Sequence, residues 1–236
     1  MRNMITSIIS ILCYLQCFGT LSASVTAKNE NGNFVLKNKN VELVFANGKE
    51  FLFKEFRMDG MNILPVNGST THPWQLIYRG PNGENPTLMP RWGEYKGGEI
   101  QKTQDASTLI FTWQMVIDAG PTCPVRILVT LGKDAELPEW RIEAEMPEGW
   151  VITESEFPRI AVNRPEGVGF GTEYTIGNEG QLQSRYPSCT GTMQLVLMHH
   201  KGGTVYFAAQ DKGGSGKVFR MKSEGKSLVF IQNVTT

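Results

Sequence analysis

The sequence has no excess charge of either sign. Lysine plus arginine and aspartate plus glutamate both number 23, so the formal net charge is zero. A chain with this balance exerts no long-range attraction on nucleic acid or on an anionic membrane surface. The sequence therefore favours a neutral sugar polymer or another protein as the partner and argues against binding to nucleic acid.

Metal-binding and phosphate-binding patterns are also missing. The three histidines and four cysteines show no spacing that is typical of a zinc site. The glycine-rich stretch 211–217 resembles a phosphate-binding loop, but Asp211 stands where that pattern requires glycine, and Val218 stands where it requires serine or threonine. We therefore predict no metal and no cofactor, and we interpret this stretch as a hairpin.

Long apolar runs are absent except near the N-terminus. There, Arg2 precedes a mostly apolar stretch from Met4 to Phe18, and small residues follow at Ala23 and Ala27. This is the layout of a secretory signal peptide, and the stretch is shorter than the roughly 20 apolar residues that span a bilayer. We predict a signal peptide over 1–23, with cleavage as late as residue 27 as an alternative. The mature chain is then periplasmic or extracellular and has no membrane span.

Cysteines are few in the predicted mature chain. Cys13 and Cys17 fall within the signal peptide, and neither follows the small residue that lipidation requires, so a lipoprotein is the less favoured alternative. Cys123 and Cys189 remain, and an oxidising compartment permits a disulfide between them. Two separate buried thiols are the favoured interpretation, because the sequence alone cannot bring the two Cα atoms within bridging distance.

The chain does contain a long series of short segments in which apolar and polar residues alternate. From Trp140 to Met146 the apolar residues share one face of a strand and the charged residues share the other. Asn-Gly and Gly-Gly pairs, typical of tight hairpins, separate such segments. We predict strands over 41–45, 51–58, 74–78, 109–117, 125–131, 140–146, 151–162, 193–199, 205–210, 217–221 and 228–234. This spacing favours an all-β, antiparallel two-sheet super-sandwich that forms a single domain over 28–236.

The longest predicted irregular segment runs from Gly80 to Gly98, with Gly97-Gly98 as a turn. It contains Arg91, Trp92 and Tyr95. Aromatic rings stack on the apolar faces of sugars, and guanidinium groups donate hydrogen bonds to hydroxyls. These three residues are therefore our candidates for contact with carbohydrate. The favoured interpretation of Trp92 and Tyr95 is that they pack the loop onto the core, since large aromatic side chains are mostly buried.

Paired carboxylates are candidates for catalysis. Glu154 and Glu156 lie two residues apart on a predicted strand, which places them about 6.5–7 Å apart on one face, and glycoside hydrolases use carboxylate pairs at similar distances. Glu143 and Glu145 have the same spacing. Such pairs arise on any solvated face of a sheet, so we interpret both pairs in that way.

Histidines are the other candidates for catalysis. A sugar epimerase of the mutarotase type uses a histidine and a carboxylate in one groove. His199 and His200 are adjacent, so at most one of them faces a given site. Neither they nor His72 has a recognisable partner in the sequence, and a polar histidine at a hairpin end is the favoured interpretation.

Two stretches resemble a known family. One runs from Leu137 through Trp140 and Trp150 to Ile160, and the other comprises 186–188, 193–195, 203–211 and Lys217. Together they resemble the N-terminal β-sandwich domain of large bacterial predicted glycoside hydrolases, a family of largely unknown function. That domain is similar to the galactose-mutarotase-type super-sandwich, and in the family it precedes a (β/α)₈ barrel that carries the catalytic carboxylates.

The resemblance implies an accessory role. The chain ends where the barrel is expected, so the family's catalytic residues have no positions here. We expect a sandwich that is truncated at its C-terminal end. A catalytic barrel domain encoded elsewhere is an expected partner. The hairpin with Asp211 and Lys217, or the loop with Arg91 and Trp92, would then contact an oligo- or polysaccharide. We expect an exported, non-catalytic accessory region of a glycoside-hydrolase-type protein. A self-contained carbohydrate-active enzyme of the mutarotase or lyase type and a free-standing glycan-binding protein remain alternatives.

Overall fold

A computed structural model describes most of the chain beyond the predicted signal peptide. The described residues are 24–48, 50–69, 72–117, 120–169, 173–174, 180–187, 194–209, 216–224 and 226–235. The predicted signal peptide, Cys189 and Asp211 lie outside the described residues. In the described part of the chain, no helix is both long enough and apolar enough to cross a membrane.

The described chain is built from β-strands, so the predicted all-β class is confirmed. The strands in chain order are β1 (Thr26–Glu30), β2 (Asn33–Lys37), β3 (Val41–Ala46), β4 (Phe53–Met58), β5 (Met61–Asn62), β6 (Gln75–Arg79), β7 (Thr87–Leu88), β8 (Glu94–Lys102), β9 (Ala106–Val116), β10 (Thr122–Gly132), β11 (Glu139–Ala144), β12 (Val151–Asn163), β13 (Gly167–Gly169), β14 (Glu173–Tyr174), β15 (Gln181–Tyr186), β16 (Leu195–His200), β17 (Gly203–Ala208), β18 (Lys217–Glu224) and β19 (Ser227–Thr235). A single 3-10 turn (Pro90–Trp92) separates β7 from β8.

The strands pair antiparallel throughout, as predicted, but they form four sheets. The first sheet has the order β1-β2-β3-β4-β5, and the second has the order β11-β10-β9-β8. The third has the order β15-β18-β19-β12-β6-β7, and the fourth has the order β14-β13-β16-β17. The predicted two-sheet super-sandwich is therefore wrong. Alternating side chains reveal a strand and its buried face, but they do not reveal which strands hydrogen-bond to one another.

Aromatic rings hold the first sheet against the second. The Phe45 ring stacks on Phe53 with the centroids 4.5 Å apart, and it meets Phe111 of the second sheet at 4.9 Å. Trp140 of β11 packs against Phe53 at 5.3 Å. Each buried ring of this size contributes roughly 1.5–3 kcal/mol to folding. Buried side chains from all four sheets belong to one continuous cluster.

The predicted turn at Gly97-Gly98 is wrong, because both glycines lie inside β8. The register with β9 shifts between Tyr95 and Gly97, which marks a β-bulge, and Gly97 has a φ of 102° that favours glycine. A Cβ atom on Gly98 would lie 2.7 Å from the Phe34 ring, so the close packing there also requires glycine. The two glycines therefore lie at a β-bulge inside a strand and do not form a hairpin turn.

Candidate functional site

A cleft of about 910 Å³ lies where the sheets meet. All four sheets contribute to its lining: β4 of the first, β9, β10, β11 and the loop before β11 of the second, β12, β18 and β19 of the third, and β17 of the fourth. Among the described strands, β11 and β17 are edge strands with one hydrogen-bonded neighbour each. The cleft therefore has two strands with an unpaired backbone edge in its lining.

The cleft combines aromatic rings with side chains of both charges. Tyr206 is 41% exposed, and Trp140 is half-buried with its ring 6.5 Å from that of Phe157. The charged side chains in the lining are those of Glu136, Glu139, Arg141 and Lys217. The lining therefore carries charges of both signs, and Arg141 is itself paired with Glu143 at 2.8 Å, so the cleft suits a polar ligand.

The loop beside the cleft is held in place by one buried amide. The Nδ2 atom of Asn38 donates hydrogen bonds to the carbonyl oxygens of Gly132 at 2.9 Å and Ala135 at 2.7 Å. Its Oδ1 atom accepts a hydrogen bond from the backbone N–H of Val41 at 2.8 Å. These bonds attach the loop that carries Glu136 to the first sheet.

Lys217 is the predicted contact residue that the structure places at the cleft. It is only 2% exposed, and its Nζ atom lies 5.6 Å from the centroid of the Tyr186 ring. The whole Lys217 side chain, including its ammonium group, is therefore buried at the wall of the cleft, near an aromatic face. Asp211, which we predicted beside it, lies outside the described residues.

The structure separates the other three predicted contact residues from the cleft and divides them into two groups. None of Arg91, Trp92 and Tyr95 belongs to the cleft lining. Trp92 is 52% exposed, and the Arg91 guanidinium lies over its ring, 5.1 Å from the centroid. Tyr95 instead packs on Trp113 at 5.2 Å, and burial raises the pKa of its hydroxyl to about 12. Tyr95 therefore anchors the chain, while Arg91 and Trp92 face solvent.

His72 and Arg91 lie at the same end of the third sheet, which sequence reasoning missed. The antiparallel pairing of β6 with β7 matches Leu76 with Leu88, so the residue before β6 and the turn after β7 are brought to that end. Partial burial, then the charges of Arg91 and Arg159, lower the pKa of His72. No local sequence signal indicates this arrangement, because it depends on the pairing of β6 with β7 and β12.

Glu156 contradicts the solvated-face interpretation. It is 7% exposed, and its carboxylate accepts hydrogen bonds from Arg159 and, at 3.1 Å, from Arg220. Glu154 accepts a hydrogen bond from Asn233. The register of β12 against β19 shifts between Glu156 and Arg159, so simple alternation fails there. Two guanidinium groups compensate the buried Glu156 charge, which makes this carboxylate a structural group.

His199 and His200 lie at the end of a hairpin. His199 Nδ1 is 2.8 Å from the Thr204 hydroxyl on the paired strand. Burial lowers the pKa of His200, partly offset by the Glu166 carboxylate. Both positions suit polar side chains that terminate a hairpin.

Cys123 is a fully buried thiol in the second sheet. Its sulfur lies 3.6 Å from Met146 Sδ, and burial raises its pKa to about 11. A thiol with this pKa is a poor nucleophile at neutral pH. Cys189, its partner in the alternative of a disulfide, lies outside the described residues, so the choice between separate thiols and a disulfide stays untested.

Comparisons with known proteins associate the chain with glycoside hydrolases. It is 97% identical over 239 residues to a Bacteroides thetaiotaomicron protein named "Putative glycoside hydrolase"; the match covers 99% of this chain and 36% of that protein. The chain thus spans about a third of the length of this relative. The relative confirms the predicted association with glycoside hydrolases, whereas the galactose-mutarotase-like assignment is not confirmed. No family model matches the chain.

One solved structure shows a weak likeness. The 4-alpha-glucanotransferase from Thermococcus litoralis superposes with a TM-score of 0.40 and 9% sequence identity, over 92% of this chain and 40% of that protein. A likeness of this size carries no argument about fold or function.

Proposed function

We propose that this chain is an exported, non-catalytic region of a glycoside-hydrolase-type protein and that it binds a neutral glycan in the cleft. A catalytic barrel domain elsewhere in the longer protein is part of the proposal. The observation that carries it is the composition of the cleft, in which Trp140 and Tyr206 lie among side chains of both charges. The name and greater length of the Bacteroides relative support the proposal.

The dimensions of the cleft suit a short oligosaccharide. Small-molecule sites occupy about 300–1,000 Å³, and the cleft volume is about 910 Å³. Sugar rings present apolar C–H faces to aromatic side chains and hydroxyls to charged ones. Trp140 and Tyr206 supply the rings, and Glu139 and Arg141 supply an acceptor and a donor in the same lining.

The absence of catalysis is the second part of the proposal. Glu156, the buried member of the Glu154 and Glu156 pair, forms ion pairs with two arginines. Its carboxylate is therefore already engaged within the protein. Glu136 and Glu139 are exposed and lie in the cleft, where they accept hydrogen bonds from sugar hydroxyls. Turnover of a bound glycan that disappears in Glu139→Gln would refute this part.

Titration calorimetry with a panel of neutral oligosaccharides tests the site. We expect Tyr206→Ala to weaken binding of the best ligand about tenfold, because an aromatic contact contributes up to about 1.5 kcal/mol beyond its buried area. Tyr206 is 41% exposed, so its removal leaves the core intact. The matched control is Val116→Ala, which removes an exposed apolar side chain outside the cleft and leaves affinity for neutral ligands unchanged. Equal affinity of wild type and Tyr206→Ala would exclude the cleft.

A further inference from the structure

A second surface lies at the end of the third sheet and differs from the cleft in charge. There β6 lies between β12 and β7. The backbone N–H of Arg159 donates a hydrogen bond of 3.0 Å to the carbonyl oxygen of Pro73, which holds the chain after Glu156 next to His72. The pairing of β6 with β7 brings the 3-10 turn (Pro90–Trp92) to the same end.

The charges on this surface do not balance. Glu156 compensates Arg159 and Arg220 by direct ion pairs. Glu94, the nearest acidic residue along the chain to Arg91, pairs with Lys96 at 2.6 Å. Among the described residues, no carboxylate lies within ion-pair distance of Arg91. The surface therefore presents more positive than negative charge to solvent, although the chain as a whole is neutral.

The exposed groups are arranged as a small recognition surface. The Trp92 ring restricts the Arg91 guanidinium through their stacking, and a planar guanidinium binds carboxylates and sulfates through two parallel hydrogen bonds. Half of the Trp92 surface remains exposed for contact with a ring. His72, half-buried beside them, offers one donor and one acceptor when its imidazole is uncharged.

We propose that His72, Arg91 and Trp92 form a second site that binds an anionic sugar. Arg91 pairs with the anionic group, Trp92 stacks on the sugar ring, and His72 contacts a hydroxyl. A uronic acid carboxylate and a sulfate ester share this chemistry. The inference rests on the proposed function only in taking a glycan as the ligand, because the residues and the ligand charge differ from those of the cleft.

Calorimetry on the full chain tests the second site with three probes. These are a galacturonic acid trisaccharide, a sulfated galactose trisaccharide and the neutral galactose trisaccharide. We expect at least one anionic probe to bind. Arg91→Gln should weaken the binding of that probe tenfold or more, because a charge-assisted contact is lost. Added salt should also weaken its binding to the wild-type protein. Which anionic probe binds identifies the anionic group. Arg57→Gln, an exposed arginine of β4 that pairs with Glu55 at 2.8 Å, is the matched control and retains affinity.

A nuclear magnetic resonance titration of the His72 imidazole gives an independent readout on wild-type protein. Binding of an anion beside Arg91 offsets the guanidinium charge, so the pKa of His72 rises in the complex. Three outcomes would each overturn the second site. They are failure of both anionic probes to bind, equal affinity of the wild type and Arg91→Gln for the bound probe, and an unchanged pKa of His72 in the complex. Neutral ligands that are lost in Tyr206→Ala and kept in Arg91→Gln would leave the cleft proposal standing in all of these cases.

Discussion

The first two sheets bury aromatic rings, whereas the third sheet also buries charge. Phe45, Phe53 and Phe111 join the first sheet to the second, and each is 2% exposed or less. The third sheet contains both buried charged residues of the described chain, Glu156 and Lys217. Buried rings contribute stability in proportion to the area they remove from water, while buried charges contribute little net stability but fix geometry. The comparison separates a region that stabilises the fold from one that shapes the cleft.

The largest expected effect comes from the aromatic region. Phe111→Ala should lower the free energy of unfolding by about 3–5 kcal/mol, because it removes a fully buried ring and leaves a cavity. The ring contacts Phe34, Phe45 and Phe51 at centroid distances of 5.8, 4.9 and 5.0 Å. Urea unfolding measures the change. Phe111→Leu keeps most of the apolar volume and should lower the free energy of unfolding clearly less than Phe111→Ala. Equal losses in the two variants would show that the packing of the ring does not cause the stabilisation.

A smaller effect is expected from the buried charge. Glu156→Gln leaves Arg159 and Arg220 without their carboxylate and should cost about 2 kcal/mol, less than the 3–5 kcal/mol of a fully buried pair, because the Arg220 side chain is 35% exposed. Urea unfolding measures this change too. The control is Glu154→Gln, since a glutamine carbonyl still accepts the hydrogen bond from Asn233. If Glu154→Gln lowers the free energy of unfolding by as much as Glu156→Gln, the ion pairs of Glu156 have no special role in the third sheet.

The same two regions differ in how far the sequence predicts them. In β9 and β10, regular alternation placed the buried faces correctly, as the fully buried Phe111 and Ile127 show. In β12 it failed, because register shifts near Glu154 and Glu156 move a carboxylate from the expected solvated face into the interior. Two-residue periodicity describes a strand only until a bulge interrupts it.

The candidate sites show the same limit. The sequence named Arg91 and Trp92 as candidate contact residues from their chemistry, and the structure places both at the surface; it also named Lys217, which lines the cleft. It did not find the cleft itself, whose Trp140 and Tyr206 come from different sheets, or the approach of His72 to Arg91. Both depend on long-range strand pairing, which local patterns do not encode.

The smallest expected effect is a pH dependence at the second surface. The pKa of His72 is lowered by burial and by Arg91 and Arg159, so the unfolded chain binds more protons than the folded one below the usual histidine pKa near 6.5. Stability is therefore full above pH 6.5 and declines as the pH falls through that value towards the lower pKa of the folded state. Melting temperatures between pH 7.5 and 5 should fall less steeply in His72→Gln than in wild type. In Arg91→Gln the decline should also be shallower, because one of the two guanidinium charges that oppose protonation is gone. If Arg91→Gln follows the wild-type profile, Arg91 does not contribute to the lowered pKa of His72, and the second surface is less positive than its arginines suggest.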